Sequence, residues 1–203
     1  MQEKIIFATN NPHKLREIQD LLGIHFSLMS LTDIGFNEEI PENQPSLQGN
    51  ALEKARHIFD RFQLPCFADD SGLEIDALNG KPGVYSARYA GSLDLFGSQE
   101  KRNQANVLKV LTKLKDATNR KARFRTVIAY IKGGSEHFFE GIVNGSIIEQ
   151  QRGNEGFGYD PIFVPEGYQQ TFAEMPLSEK NKISHRARAF AKFVNFLNEK
   201  NDQ

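Results

Sequence analysis

The chain has 203 residues, 39% apolar and 25% charged, which suits one soluble globular domain with a proper core. Its 25 basic and 26 acidic side chains leave a formal net charge of −1, which argues against a protein that coats nucleic acid. The single cysteine, Cys66, rules out a disulfide within the chain, and no apolar run approaches the ~20 residues of a membrane helix.

The N-terminal stretch MQEKIIFATNN lacks the charged head and long apolar run of a secretory signal, so a cytoplasmic protein is expected. Lys4 to Thr9 is short, apolar and followed by turn residues, which predicts a buried strand. Asn10-Asn11-Pro12 then opens a helix, because Asn caps N-termini and Pro suits the first helical position. Leu15, Ile18, Leu21 and Leu22 supply its apolar face, and Gly23 ends it. His25 to Leu31 predicts a second strand, and residues 35–46 a loop. Ser46 to Phe62 predicts a helix with Leu47, Ala51, Ala55, Ile58, Phe59 and Phe62 on one face. A strand over Leu64 to Ala68 follows, then a Ser-Gly turn and an edge strand over Leu73 to Leu78. Asn79 to Gly91 is rich in glycine and predicts a long ordered loop. Ser98 to Lys115 predicts a helix with Val107, Leu108, Leu111 and Leu114 inward. Strands are expected over Ala122 to Lys132, Glu136 to Ile142 and Val143 to Glu149, with Gly133-Gly134 as a hairpin turn. The last helix starts near Ser178 and carries the stripe Ile183, Ala187, Phe190, Val194 and Leu197. Consecutive hairpin strands must be antiparallel, so the expected fold class is α/β with a mixed sheet and flanking helices.

Residues 67–72, Phe-Ala-Asp-Asp-Ser-Gly, place two carboxylates at the end of an apolar run. Adjacent acids repel, and a bound Mg²⁺, which takes one or two carboxylates plus substrate phosphates, offsets that repulsion. A polar turn in which Asp and Ser bond their own backbone is the other reading. The segment Thr9-Asn10-Asn11-Pro12-His13-Lys14 delivers a strand to a helix N-terminus, where free N–H groups favour phosphate. Lys14 opposes the helix dipole there and makes more sense beside an anion, though a capped helix with a solvated lysine fits the same residues. Glu42, in an acidic loop, is either a further metal carboxylate or a solvated acid. Gly156-Phe157-Gly158-Tyr159-Asp160-Pro161 sets two aromatics between glycines, as rings that stack on a base or as plugs of the core. Lys180, Ser184, His185 and Arg186 lie in the first turns of the last helix, with Lys180 and Ser184 on one face. Lys and Arg donors there suit base carbonyls or phosphate, or form a basic solvated face. Taken together these are the parts of a nucleoside triphosphate site.

The segments ATNNPHK, FADDSGLEIDALNGKPGVYSARYAG, GFGYDPIF and SEKNKISHRARA stand in the order found in the inosine triphosphatase family, which this chain resembles over nearly its whole length. The resemblance implies one domain over 1–203, an elongated mixed α/β fold of two lobes with a central cleft, and a homodimer. It implies hydrolysis of deaminated purine triphosphates (ITP, dITP, XTP) to the monophosphate and pyrophosphate. On that basis Thr9, Asn10, Asn11, Pro12, His13 and Lys14 hold the triphosphate, and Glu42, Asp69 and Asp70 hold Mg²⁺. Asp70 matches the catalytic base, and Ser71 touches substrate. Phe157, Gly158, Tyr159 and Asp160 frame the base, with Lys180, His185 and Arg186 completing the pocket. One departure is Gly49-Asn50-Ala51, where members often have Glu-Asn-Ala, so a carboxylate is missing. The alternatives are a related pyrophosphatase acting on other modified nucleotides, and a non-catalytic nucleotide or RNA binder supported by the basic stretch at 120–125.

Overall fold

A computed structural model describes residues 3–11, 14, 15, 18 and 26–201. Among the described residues six strands form one mixed sheet, in the order β2-β1-β3-β4-β5-β6. They are β1 (Glu3–Phe7), β2 (Phe26–Met29), β3 (Cys66–Ile75), β4 (Lys121–Lys132), β5 (Ser135–Ile147) and β6 (Phe163–Pro165). The α-helices described from end to end are α1 (Leu47–Phe62), α2 (Gln99–Lys113), α3 (Leu177–Ile183) and α4 (His185–Asn201), and Lys14, Leu15 and Ile18 are helical as well. Strand β1 pairs parallel with β2 and β3, and β5 pairs antiparallel with β6. The expected mixed α/β class is therefore observed. Among the described residues no helix is long and apolar enough to cross a membrane.

The chain divides into two compact units. The first comprises Met1–Asp70, Thr126–Gly141 and Arg186–Gln203. Its strands alternate strictly, so successive side chains enter opposite layers. Ile5, Phe7, Phe67, Ile128 and Tyr130 pack with Ala189, Phe190, Phe193 and Leu197 of α4. Ile6, Ala8, Cys66, Ala68, Ala129 and Ile131 pack with Ala51, Ala55 and Ile58 of α1. Helix α1 begins at Ser46, whose hydroxyl accepts the Gly49 N–H at 3.0 Å, as a serine N-cap should. The second unit comprises Ser71–Arg125 and Ile142–His185. Its core joins Leu73 and Ile75 of β3, Val107, Val110 and Leu114, Phe124 of β4, and Tyr159, Phe163 and Phe172. The 79–91 loop is ordered, as expected: Asn106 of α2 donates to the carbonyls of Ser86 and Ala87 and accepts from Ala90 N–H.

Four expectations need correction. No turn interrupts Cys66–Ile75, which runs as one strand through the tandem aspartates, and Asp76–Leu78 is a 3₁₀ turn, not strand. The two segments expected over 136–149 are one strand, β5, because the inward alternation Phe139, Gly141, Val143, Ile147 keeps its phase across the glycine. Leu108 is exposed on α2, and Val110 takes the inward place. The last helix is two helices: Ser184 adopts an extended backbone (φ −63°, ψ 154°), so Ile183 joins the second unit's core while Ala187, Phe190 and Leu197 line α4. That backbone is the one an N-cap takes, and serine is favoured there. The Gly133-Gly134 hairpin stands as expected, both glycines having positive φ (56° and 79°). Leu21, Leu22, Gly23 and His25 lie outside the described residues.

Candidate active site

The tandem aspartates sit in the middle of an extended strand, so alternation sends their side chains into opposite layers. Asp69 shares the phase of Phe67 and enters the α4 layer. There its Oδ1 accepts Lys14 Nζ at 2.8 Å and its Oδ2 accepts Arg186 Nε at 3.4 Å. Lys14, helical and just past the turn after β1, reaches it there; Asn11 Oδ1 accepts the Lys14 N–H at 3.4 Å and Thr9 Oγ1 accepts the Asn11 N–H at 3.2 Å. Arg186 reaches it from the first turn of α4. Burial alone would raise the Asp69 pKa, but Lys14, Arg186 and Lys54 outweigh it and hold the carboxyl well below the usual range. Lys14 shares that carboxylate with a second cation, so burial, Lys54 and Arg186 leave its pKa below the ordinary lysine value.

Asp70 shares the phase of Ala68 and enters the α1 layer. Its Oδ2 accepts Asn50 Nδ2 at 3.0 Å, and its Oδ1 lies 3.9 Å from Lys54 Nζ. Lys54 Nζ donates to Glu42 Oε1 at 2.6 Å. Burial pushes the Asp70 pKa above the usual carboxylate range and Glu42 adds to the push, against Lys54, Lys14 and the Asn50 hydrogen bond. Burial pulls the Lys54 pKa down, yet Asp70, Glu42 and Asp69 outweigh it and keep the ammonium charged. The loop carrying Glu42 is fastened to α1: Gln44 N–H donates to Asn50 Oδ1 at 2.9 Å, and Asn43 N–H to Glu53 Oε2 at 3.0 Å.

Asn50 and Lys54 did not figure among the expected site residues. They stand four apart on α1, inside the buried stripe Leu47, Asn50, Ala51, Lys54, Ala55, Ile58. Two polar residues in an otherwise apolar stripe are a legible signal, since buried polar groups need partners. The Gly49 departure also has a local basis. A Cβ at Gly49 would stand 2.7 Å from Gln44 Cβ, so glycine lets the Glu42 loop close on α1.

The second unit gathers a different set. Asp160 Oδ2 accepts both Lys180 Nζ and Phe157 N–H, each at 2.9 Å. The Lys180 ammonium lies 5.1 Å from the Phe157 ring centroid and 5.8 Å from that of Phe172, within cation–π range. Gly156 has φ +74°, and a Cβ there would meet Asp160 Oδ2 at 2.1 Å, so this turn requires glycine. Phe157 and Gly158 are half-buried, which leaves the Phe157 ring part of its surface. Tyr159 instead plugs the core, and its hydroxyl donates to Ser86 O at 2.8 Å. His185 is buried, stacked on Phe124 at 4.6 Å and 9°. Ser71 is half-buried in β3, and Asn10 is exposed. Pro12 and His13 lie outside the described residues. The basic stretch at 120–125 is engaged internally, with Arg120 donating to three backbone carbonyls and Arg123 and Arg125 pairing with Glu74.

Among the described residues no three His, Cys, Asp or Glu side chains cluster as a metal cage. The donor set still fits one hard divalent ion. Glu42 and Asp70 already flank a single cationic group, the Lys54 ammonium, and one or two carboxylates suffice where phosphates supply the remaining oxygens. Asp69 is engaged by Lys14 and Arg186 in the other layer.

Residues 5–196 match the model of the Ham1 family. The dITP/XTP pyrophosphatase of Porphyromonas gingivalis is 52% identical over 196 residues, covering 96% of this chain and 97% of the relative. That of Flavobacterium psychrophilum is 47% identical over 194 residues, covering 96% and 98%. Among solved structures, the Ham1 protein of Staphylococcus aureus superposes with a TM-score of 0.87 at 33% identity, covering 98% of this chain and all of that one. A match this long, with the same fold, means that the chain belongs to the Ham1 family.

Proposed function

We propose that this protein hydrolyses deaminated purine nucleoside triphosphates (ITP, dITP and XTP) to the monophosphate and pyrophosphate, and so cleanses the nucleotide pool. The names of its close relatives support the reaction. The carrying observation is the division of labour between Asp69 and Asp70: one carboxylate anchors two cations, and the other is held by a neutral amide beside a partly exposed glutamate.

In this reading water attacks the α-phosphorus and pyrophosphate leaves. Asp70 accepts the proton of the attacking water, and Asn50 fixes the carboxylate oxygen it touches. Lys14 and Lys54, together with the N–H groups of the turn after Thr9, bind phosphate oxygens and stabilise the charge that develops in the transition state. Glu42 and Asp70 are the residues that would hold Mg²⁺, which when bound neutralises phosphate charge. Asp69 orients Lys14 and Arg186.

The half-buried Phe157 ring is assigned to stack on the base. Lys180, oriented by Asp160, donates to the C6 carbonyl that hypoxanthine and xanthine share. Adenine presents an amino group there and would leave that buried donor unpaired, and such mismatches give discrimination of up to about 10⁴-fold. Tyr159 and His185 shape this pocket from within the core. A cytoplasmic homodimer belongs to the same proposal. The test is pyrophosphate release from ITP, ATP and GTP, with and without Mg²⁺. Turnover of ITP that needs Mg²⁺ and exceeds that of ATP supports the proposal, and equal turnover of all three contradicts its specificity.

A further inference from the structure

In the first unit Lys54 occupies an unusual position for a lysine. Its side chain is 8% exposed, and its ammonium lies between Glu42 Oε1 at 2.6 Å and Asp70 Oδ1 at 3.9 Å. The Asp70 carboxylate and the backbone of the Glu42 loop are both held by residues other than the lysine. Asn50 grips Asp70 from the other oxygen, and the Glu42 loop is tied to Asn50 and Glu53 through the Asn43 and Gln44 N–H groups. Residues other than the lysine therefore place the Asp70 carboxylate and the Glu42 backbone on either side of the ammonium. Two carboxylates held apart around a cation are also what a hard divalent ion takes. An ammonium and a divalent ion cannot share that space, because like charges at such separations repel strongly where water is scarce.

We propose that Lys54 is a resident counter-ion which a divalent cation must displace from Glu42, so that metal loading releases the Lys54 ammonium for the triphosphate. This rests on the reading of Glu42 and Asp70 as the carboxylates that hold the cation. Without nucleotide, the displaced ammonium gains no partner and the metal binds weakly. With a triphosphate, the metal takes the carboxylates while the ammonium takes phosphate, and the two events favour each other.

The test measures Mn²⁺ binding to nucleotide-free protein, from the electron paramagnetic resonance of free Mn²⁺. Wild type is compared with Lys54→Met and Lys54→Arg. Removing the competing charge should tighten Mn²⁺ binding by about 10-fold or more in Lys54→Met, whereas Lys54→Arg stays as weak as wild type. Unchanged or weaker binding in a folded Lys54→Met overturns the inference, as does Mn²⁺ binding by neither protein. A wild-type measurement stands beside it in case Lys54→Met does not fold. The ¹⁵N resonance of the Lys54 ammonium should move when Mg²⁺ alone is added to saturation, and a resonance that stays in place overturns the inference. Pyrophosphate release from ITP by the same wild-type sample keeps the two ideas distinguishable. Turnover with Mn²⁺ affinity indifferent to Lys54 sinks the counter-ion role alone, and its absence sinks the reading of the site.

Discussion

Asp69→Asn and Asp70→Asn differ by one position, yet they should move stability and catalysis in separate ways. The Asp69 side chain is 0% exposed and compensates two cations, Lys14 at 2.8 Å and Arg186 at 3.4 Å. Neutralising it leaves both facing one another beside Lys54 without their shared anion. Breaking a buried pair by removing one partner costs about 3–5 kcal/mol, and because the amide oxygen of Asn can still accept, the low end of about 3 kcal/mol applies. For a chain of this length 1 kcal/mol shifts Tm by about 2–4 °C, so Asp69→Asn should melt about 6–12 °C below wild type. Asp70 differs: burial disfavours its charged form, and its pKa is raised in the fold. Asp70→Asn should therefore melt near wild type or slightly above it, while its kcat falls by about 10²-fold or more, as loss of a general base requires. Calorimetry at neutral pH and steady-state pyrophosphate release measure the two axes. An Asp69→Asn protein that melts with wild type, or an Asp70→Asn protein that keeps wild-type kcat, would refute the division of labour.

The remaining expectations concern pH and the base pocket. Because the folded pKa of Asp69 is depressed, its stabilisation is fully present above the unfolded carboxylate pKa of about 3.9 and is lost as pH falls toward the folded value. The stability gap between wild type and Asp69→Asn, followed by denaturant titration, should hold constant above about pH 5 and close below about pH 4; a gap that widens on acidification contradicts the assignment. Lys180→Ala should raise KM for ITP more than it lowers kcat, and an unchanged KM removes Lys180 from base recognition. Gly156→Ala forces a Cβ to within 2.1 Å of Asp160 Oδ2 at a φ of +74°, so it should loosen Lys180 and Phe157 and raise KM for ITP about as far as Lys180→Ala does. Kinetics of that variant indistinguishable from wild type would show that the turn does not position the pocket.

Much of the fold was legible in the sequence because it rests on local periodicity. The apolar stripe of α1 was readable from spacing. So was the Gly133-Gly134 hairpin, because glycine adopts those φ values more readily than any other residue. The continuous strand through Asp69 and Asp70 was not legible, because Ser71-Gly72 reads as a turn from composition alone. The charges that compensate Asp69 and Asp70 come from far along the chain, from Lys14, Lys54 and Arg186, and no local window contains those partners. The break at Ser184 was missed for a related reason: the apolar spacing from Ile183 to Leu197 is continuous, while the two ends of that stripe enter different cores. Lys54 was recoverable in principle, since a lysine in a buried helical stripe demands an anion, but which anion depends on the register of β3 beside α1. The two aromatics of Gly156–Asp160 looked alike in sequence, and only the buried hydroxyl contact of Tyr159 with Ser86 separates a core plug from an available ring.

The reaction itself is tested most directly by turning over ITP in H₂¹⁸O and weighing the products. Attack of water on the α-phosphorus, with Asp70 taking its proton, places one ¹⁸O in the monophosphate and none in the pyrophosphate, and Asp70→Asn should form neither product above about 1% of the wild-type rate. Label found in inorganic phosphate or in the pyrophosphate would contradict it.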